Sequence, residues 1–545
     1  MNTLPLLRRS FLAFCALPLF SIAAKAQAPD AALPAGCKAN PAGVSDAEAA
    51  LYVEDWAKAS KLYHAEASQD TSLIEPQAGL VRAELGRGDI TLALKDATAL
   101  ANAWPQSVIA QTVLGETYVR RGELIAATPI LTKALALDPC YARTRMLAAR
   151  IESLSGYHAS AARHLAQAHA LRPNDEQITL AWIFTLPPAQ RFPLLKEFVA
   201  TAKFLNTDDR EDLKSNVLEG EVKMNSHCTV SAPSGGTETT LYEEPNLSKA
   251  SGEQSIDTML NGKKHRMHFS THFDDIVFPA GTAKALGLVP LVHVSYAQLY
   301  LGGRQNFYFA KLDSLRVGDV EYRNCIVKVY DEIYNESARR DMDTNPAGSD
   351  GSLGAMFLSD FLIQADPQKH RLTLSQLPPL DAKVDSAGLP VWSDVSKSGG
   401  DFVPSINGGA WGQYNRTIIP AMKGWDSLVR TRDSMWLPVG IGPGPEVLFL
   451  FELDDPWPRI STNAAGQVAK IETMVKNKEA VPFKGYFLEF SGFYFPVNSW
   501  TVERYDEYSK HLKLETSGTI GLQALHQTTF TLDLRDNLVQ IVRTK

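Results

Sequence analysis

The chain has 545 residues, of which 45% are hydrophobic, 21% charged and 9% aromatic, and its formal net charge is −7. That length exceeds one ordinary domain and predicts three or four, while the composition is globular rather than disordered. The mild acidity, with no block of like charges, excludes the concentrated basic face that nucleic acids require, so no nucleic-acid partner is expected.

The first 26 residues read as a signal peptide. Arg8 and Arg9 precede an apolar run from Phe11 to Ala24, and "AAKAQA" offers small residues for cleavage after Ala26. "RRSFL" also fits the core of a twin-arginine signal, so both the general and the twin-arginine routes stay open. Phe14, next to Cys15, blocks a lipid-attachment motif. Beyond residue 26 no uninterrupted apolar run approaches the ~18 residues of a membrane span. The expected product is exported, periplasmic or extracellular, with no stable membrane insertion. Cys37, Cys140, Cys228 and Cys325 survive cleavage, and an oxidising compartment permits any of their three pairings. With no C-x-x-C pattern, neither a sulfur-held metal nor another cofactor is expected.

From about residue 45 to 175 the sequence repeats every 34 positions: Pro105, Pro139 and Pro173; Gly88, Gly122 and Gly156; Ala59, Ala93, Ala127 and Ala161. Small residues let helices cross closely, glycine turns the chain between them and proline stops the second helix. This pattern resembles the tetratricopeptide repeat, and it predicts a helical solenoid over 40–210 with "LLKEFVATAKFL" as a closing helix. Tyr118, Arg120 and Arg121 suit contact with a partner protein. The alternative is a scaffold docked on the rest of the chain.

After about residue 220, β-branched and aromatic runs such as "RNCIVKVY" and "HRLTLSQL" read as strands. Two stretches repeat one pattern: Gly351, Gly354, Leu358 and Asp366 match Gly518, Gly521, Leu525 and Asp533. Two copies of one β fold are expected, at 220–378 and 430–545, joined by a connecting segment at 379–429. "NGKKHRMHF", "IVFPAGTAKALGL", "LDSLRVGDVEYRNCIVKV" and "DGSLGAMFLSDFLIQAD" resemble a lobe of the retropepsin-like aspartic proteases. "LPVGIGPG" with "SGTIGLQAL" resembles a second, more diverged lobe. The expected fold class is therefore multidomain, an α solenoid followed by two acid-protease-like all-β lobes.

The resemblance implies a D-T-G loop in each lobe, two carboxylates sharing a proton, and a threonine that anchors the paired loops. The catalytic position falls on Ser270 in the first lobe, followed by Thr271, His272 and Phe273. In the second it falls on Glu452, followed by Leu453. Serine supplies no carboxylate, and His272 and Phe273 are bulky where the loops should meet. Asp275 and Asp454 are the alternative acids for a dyad of altered geometry, beside Asp274 and Asp455. No residue is assigned a catalytic role with conviction. The leading expectation is a catalytically inactive protein that binds an extended peptide or protein, with Thr271, His272, Phe273 and Asp455 at the cleft. An active aspartic endopeptidase using noncanonical acids and a repeat-based adaptor are the alternatives. His265, His268 and His272 form H-x2-H-x3-H, but the ligand set falls short of a zinc site, so no metal is expected. Ser270 beside His272 lacks the elbow and orienting acid of a serine hydrolase.

Overall fold

The computed structural model describes residues 33–244, 253–271, 275–297, 303–331, 350–377, 425–432, 434–441, 446–453, 458–467, 487–496, 501–503 and 505–544. The expected leader 1–26 and nearly all of the connecting segment 379–429 lie outside them.

The N-terminal half is a run of helices: α1 (Asp46–Tyr52), α2 (Trp56–Gln69), α3 (Ile74–Arg87), α4 (Ile90–Ala103), α5 (Val108–Arg120), α6 (Leu124–Leu137), α7 (Ala142–Leu154), α8 (His158–Leu171), α9 (Glu176–Thr185), α10 (Pro188–Thr201) and α11 (Thr207–Ser226). The 34-residue series has a direct physical expression. Ala59, Ala93 and Ala127 are wholly buried and Ala161 nearly so, which lets each helix lie close on its neighbour. Gly88, Gly122 and Gly156 all have positive φ and end the first helix of a pair. The closing helix expected at "LLKEFVATAKFL" is α10, but another follows. α11 begins at the Asn206 cap, carries Asp208 and Asp209 in its first turn and runs to Ser226. It spans the 210–220 gap expected between modules, so the helical part reaches Ser226.

A network of buried ions crosses the repeats. Arg82 meets Glu48 and Glu75 at 2.8 Å each, and Arg143 bridges Glu48 at 2.6 Å and Glu116 at 3.0 Å. Tyr63 donates to Glu48 at 2.7 Å. Burial alone would raise the Glu48 pKa, but Arg82, Arg143 and Tyr63 outweigh it and hold the carboxyl down to about 2.

The first β lobe comprises β1 (Thr229–Ser231), β2 (Thr237–Glu244), β3 (Glu253–Leu260), β4 (Lys263–Ser270), β5 (Ile276–Phe278), α12 (Ala280–Ala285), β6 (Pro290–Ala297), β7 (Arg304–Val317), β8 (Val320–Tyr330), β9 (Ser352–Gly354), β10 (Phe361–Asp366) and β11 (Arg371–Gln376). Asn261 and Gly262, both at positive φ, make the tight turn between β3 and β4. The second lobe comprises β12 (Asp426–Ser427), β13 (Val429–Arg430), β14 (Met435–Ile441), β15 (Val447–Leu450), β16 (Arg459–Ser461), α13 (Thr462–Gln467), β17 (Phe487–Phe490), β18 (Phe493–Pro496), β19 (Thr501–Glu503), α14 (Asp506–Leu512), β20 (Gly518–Thr519), α15 (Gly521–Leu525), β21 (Thr528–Asp533) and β22 (Leu538–Arg543). It starts slightly before the expected residue 430, because β12 pairs with β22.

The lobes share one antiparallel sheet in the order β12-β22-β21-β10-β11-β2. At its centre Gln364 of β10 lies opposite Thr531 of β21 and donates to its hydroxyl at 3.2 Å. These two residues stand equally far from Gly351 and Gly518. Equivalent residues that pair with each other mark a pseudo-two-fold axis, the self-complementary contact of a dimer inside one chain. Phe269, Phe278, Phe449, Phe451 and Phe530, all wholly buried, fill the core beneath this sheet.

The repeats dock on the second lobe. Val119, Leu124, Leu131, Leu147, Ile151 and Leu154 pack with Trp436, Leu448, Leu450, Tyr505, Tyr508 and Leu514 in one apolar cluster. Polar ties reinforce it: the Glu515 N–H donates to the Arg120 carbonyl at 2.8 Å, and Asn537 donates to the Leu154 carbonyl at 3.2 Å. Two disulfides complete the frame. Cys37–Cys140 ties the N-terminal segment to the α6–α7 turn, and Cys228–Cys325 ties the exit of α11 to β8.

Candidate functional site

Strand registers locate the loops at the pseudo-two-fold axis. β4 runs parallel to β9 with His268 opposite Ser352, and β15 runs parallel to β20 with Leu450 opposite Thr519. On the far side of each loop, Val277 lies opposite Ser352 and Arg459 opposite Thr519. Both loops therefore have the same length, and Ser270 and Thr271 correspond to Glu452 and Leu453.

The two loops touch. The Leu453 N–H donates to Thr271 Oγ1 at 3.0 Å, in the interior. Thr271 thus ties the two loops together. The grip is one-sided, because Leu453 has no hydroxyl to return the bond. Ser270 is wholly buried, Thr271 and Leu453 are each 1% exposed, and Glu452 is half-buried. Of Ser270 and Glu452, only Glu452 carries a carboxylate.

The other expected site residues fare differently. Asp275 is engaged elsewhere: its Oδ2 accepts from Lys223 Nζ at 2.6 Å and lies 3.9 Å from Lys328 Nζ. Its backbone carbonyl also accepts from the Gly354 N–H at 3.0 Å. His272, Phe273, Asp274, Asp454 and Asp455 lie outside the described residues. His265 faces Asp350, with Nδ1 3.0 Å from Oδ2. Among the described residues no three His, Cys, Asp or Glu side chains are gathered to hold a metal ion.

What sequence reasoning missed is α11. Ser215 Oγ donates to the Ser295 carbonyl at 2.7 Å and accepts from the Ser295 N–H at 3.1 Å, so it fills the outer edge of β6 as a partner strand would. Asp212 accepts from the Ala297 N–H at 3.0 Å, and Tyr296 donates to Glu219 at 2.6 Å. One turn further on, Lys223 reaches Glu219 at 2.9 Å as well as Asp275. The helix that ends the repeats thus clamps both the β6–β7 hairpin and the segment just after the Thr271 loop. Its signal was the Asn206 cap before "TDDREDLKSNVLEGEVKMNS".

Two residues expected to suit a partner are turned inward instead. Arg120 Nη1 donates to the Ser509 carbonyl of α14 at 2.7 Å, and Tyr118 packs against the second lobe. Arg121 pairs with Glu123 on its own turn. Periodicity marks these as solenoid side chains but does not say that a later part of the same chain covers them.

The architecture is thus a tetratricopeptide-like helical array followed by two β lobes related by a pseudo-two-fold axis. No family model matches the chain, and no curated protein matches it. Solved structures resemble parts of it. A thermophilic tetratricopeptide-repeat protein in Thermus thermophilus is 21% identical with a TM-score of 0.26, over 31% of this chain and 91% of that one. A retropepsin-like aspartic protease from Rickettsia conorii is 20% identical with a TM-score of 0.18, over 27% and 92%. A MamA mutant is 21% identical with a TM-score of 0.19, over 28% and 91%. Among the described residues no helix is long and apolar enough to cross a membrane.

Proposed function

We propose that this chain is an exported, catalytically inactive relative of the aspartic proteases that holds an extended peptide or protein segment in the cleft between its β lobes. The observation that supports this reading is the pairing of Thr271 with Leu453, the residues that follow Ser270 and Glu452, of which only Glu452 carries a carboxylate. Peptide capture by main-chain pairing needs a cleft and free backbone groups, not a dyad. The outer edge of β6 is closed by Ser215 and Asp212, so a bound peptide pairs elsewhere along the cleft. Two disulfides support export to an oxidising compartment. The repeats act first as a docked support, and partner contact falls to the faces they keep exposed.

The test is incubation of the purified chain with a mixed peptide library from pH 3 to 7, beside a Glu452→Gln variant. We expect no cleavage by either and retention of a peptide subset by both. Retention should be lost in a stably folded Thr271→Trp variant. Cleavage that disappears in Glu452→Gln would instead establish an active endopeptidase with noncanonical acids and overturn the proposal.

A further inference from the structure

Where the repeats meet the second lobe, three cations gather at the C-terminal end of α14. Arg120 ends α5 and donates from Nη1 to the Ser509 carbonyl at 2.7 Å. Arg150, on α7, donates from Nη2 to the carbonyls of Leu512 and Lys513, both at 2.7 Å. Lys513 itself caps α14 at φ 52. The two arginines are half-buried and Lys513 is exposed.

A helix C-terminus favours positive charge, but it offers only about half an elementary charge. Three full charges exceed that. None of the three forms an ion pair with a carboxylate among the described residues, unlike Arg82 and Arg143 one layer away. The acids that act on them do so from beyond ion-pair distance: Glu116, which Arg143 takes at 3.0 Å, Glu515, which accepts from Asn463 at 2.7 Å, and Glu54 and Asp209. Burial first, then Arg150, brings Arg120 down to about 10. Burial likewise lowers Arg150. Desolvation by the surrounding protein, with Arg150 and Arg120 adding their repulsion, lowers Lys513 too. Arg150 uses only Nη2 on the α14 carbonyls, which leaves further donors on its planar fork for an oxygen pair.

We infer that Arg120, Arg150 and Lys513 form a binding site for an oxyanionic group, carboxylate or phosphate, borne by a small solute and seated at the junction of the repeats and the second lobe. The bound anion adds negative charge beyond that of Glu54 and bridges the two modules, so binding stabilises the docked chain.

The experiment is thermal unfolding of the full chain in inorganic phosphate, in citrate and in sodium chloride at matched ionic strength. The wild type should show a saturable rise in Tm with phosphate or citrate and none with chloride. The more effective anion identifies the group the site prefers. Lys513→Glu should shift half-saturation at least tenfold, Lys513→Gln less, and Lys513→Arg should match the wild type. Because phosphate also stabilises proteins by exclusion from their surface, a rise that never saturates, or one equal in Lys513→Glu and the wild type, overturns the inference. Absence of any anion-specific rise in the wild type does the same.

Discussion

At the scale of single residues, Thr271 joins the two lobes where their loops meet. Its hydroxyl is the acceptor for a buried N–H of the other lobe. Thr271→Val keeps the shape and removes the acceptor, which leaves the Leu453 N–H without its partner. A buried donor so orphaned costs about 1–3 kcal/mol, and urea unfolding should register a loss of that size with unchanged m. A second residue-scale expectation concerns acid. Glu48 has a pKa of about 2 in the folded chain against an ordinary value near 4.5, so its depressed pKa adds stability above pH 4.5. That stability is lost as pH falls from there through 2. Glu48→Gln should therefore be less stable than the wild type at pH 7, with the gap closing as both are titrated toward pH 2. An unchanged gap at pH 2 would mean the Gln fails for packing reasons rather than lost charge. The strands that flank the loops were legible in the sequence because their apolar runs and glycines repeat in both lobes, around Ser270 and around Glu452. The Glu48 network was not, because its partners lie on separate helices and only stacking brings them together.

At the scale of elements, the informative pieces are the two helices that sequence reasoning did not single out. α11 occupies what looked like a boundary, since its apolar positions are few and its charged ones read as linker. Those charges are its function in the fold: Asp212, Ser215, Glu219 and Lys223 sit at successive turns and meet β6, Tyr296 and Asp275. Lys223→Met should weaken the hold on the Asp275 carboxylate, which is 2% exposed and keeps Lys328 at 3.9 Å. Because Lys223 is itself 38% exposed, the loss should fall below the cost of breaking a fully buried pair, about 3–5 kcal/mol. Lys223→Met combined with Asp275→Asn should recover much of that loss in a double-mutant cycle. Additive losses would show that Lys223 acts through Glu219 alone. α14 was equally hidden. It is a short insertion before β20, and its apolar Tyr508 and the following Leu514 make sense only once the repeats lie against them.

At the scale of the molecule, the repeat glycines do two things at once. Each of them ends a helix at positive φ, which periodicity predicts. The structure adds that the same turns face the second lobe, at graded distances. A Cβ on Gly156 would stand 2.6 Å from the Asp536 carbonyl oxygen, one on Gly122 would stand 3.1 Å from that of Glu515, and one on Gly88 would meet only the end of the Lys510 side chain at 3.3 Å. Backbone cannot yield as a lysine tip can. Alanine at each site carries a similar left-handed penalty of roughly 1–2 kcal/mol, and at Gly156 a clash of about 1–3 kcal/mol should add to it. In the full chain the loss of Tm should then rank Gly156→Ala above Gly122→Ala above Gly88→Ala. In the presence of the Gly156→Ala change, limited proteolysis should cut first at the turn around Gly156, because that turn no longer seats against Asp536 and Asn537 of the second lobe. If the three variants lose equal Tm, the turns serve the helices alone, and the apolar cluster around Trp436 and Tyr508 holds the modules together without them. A graded loss would instead mean that one glycine series, set by the repeat, was also shaped by what the repeat rests on.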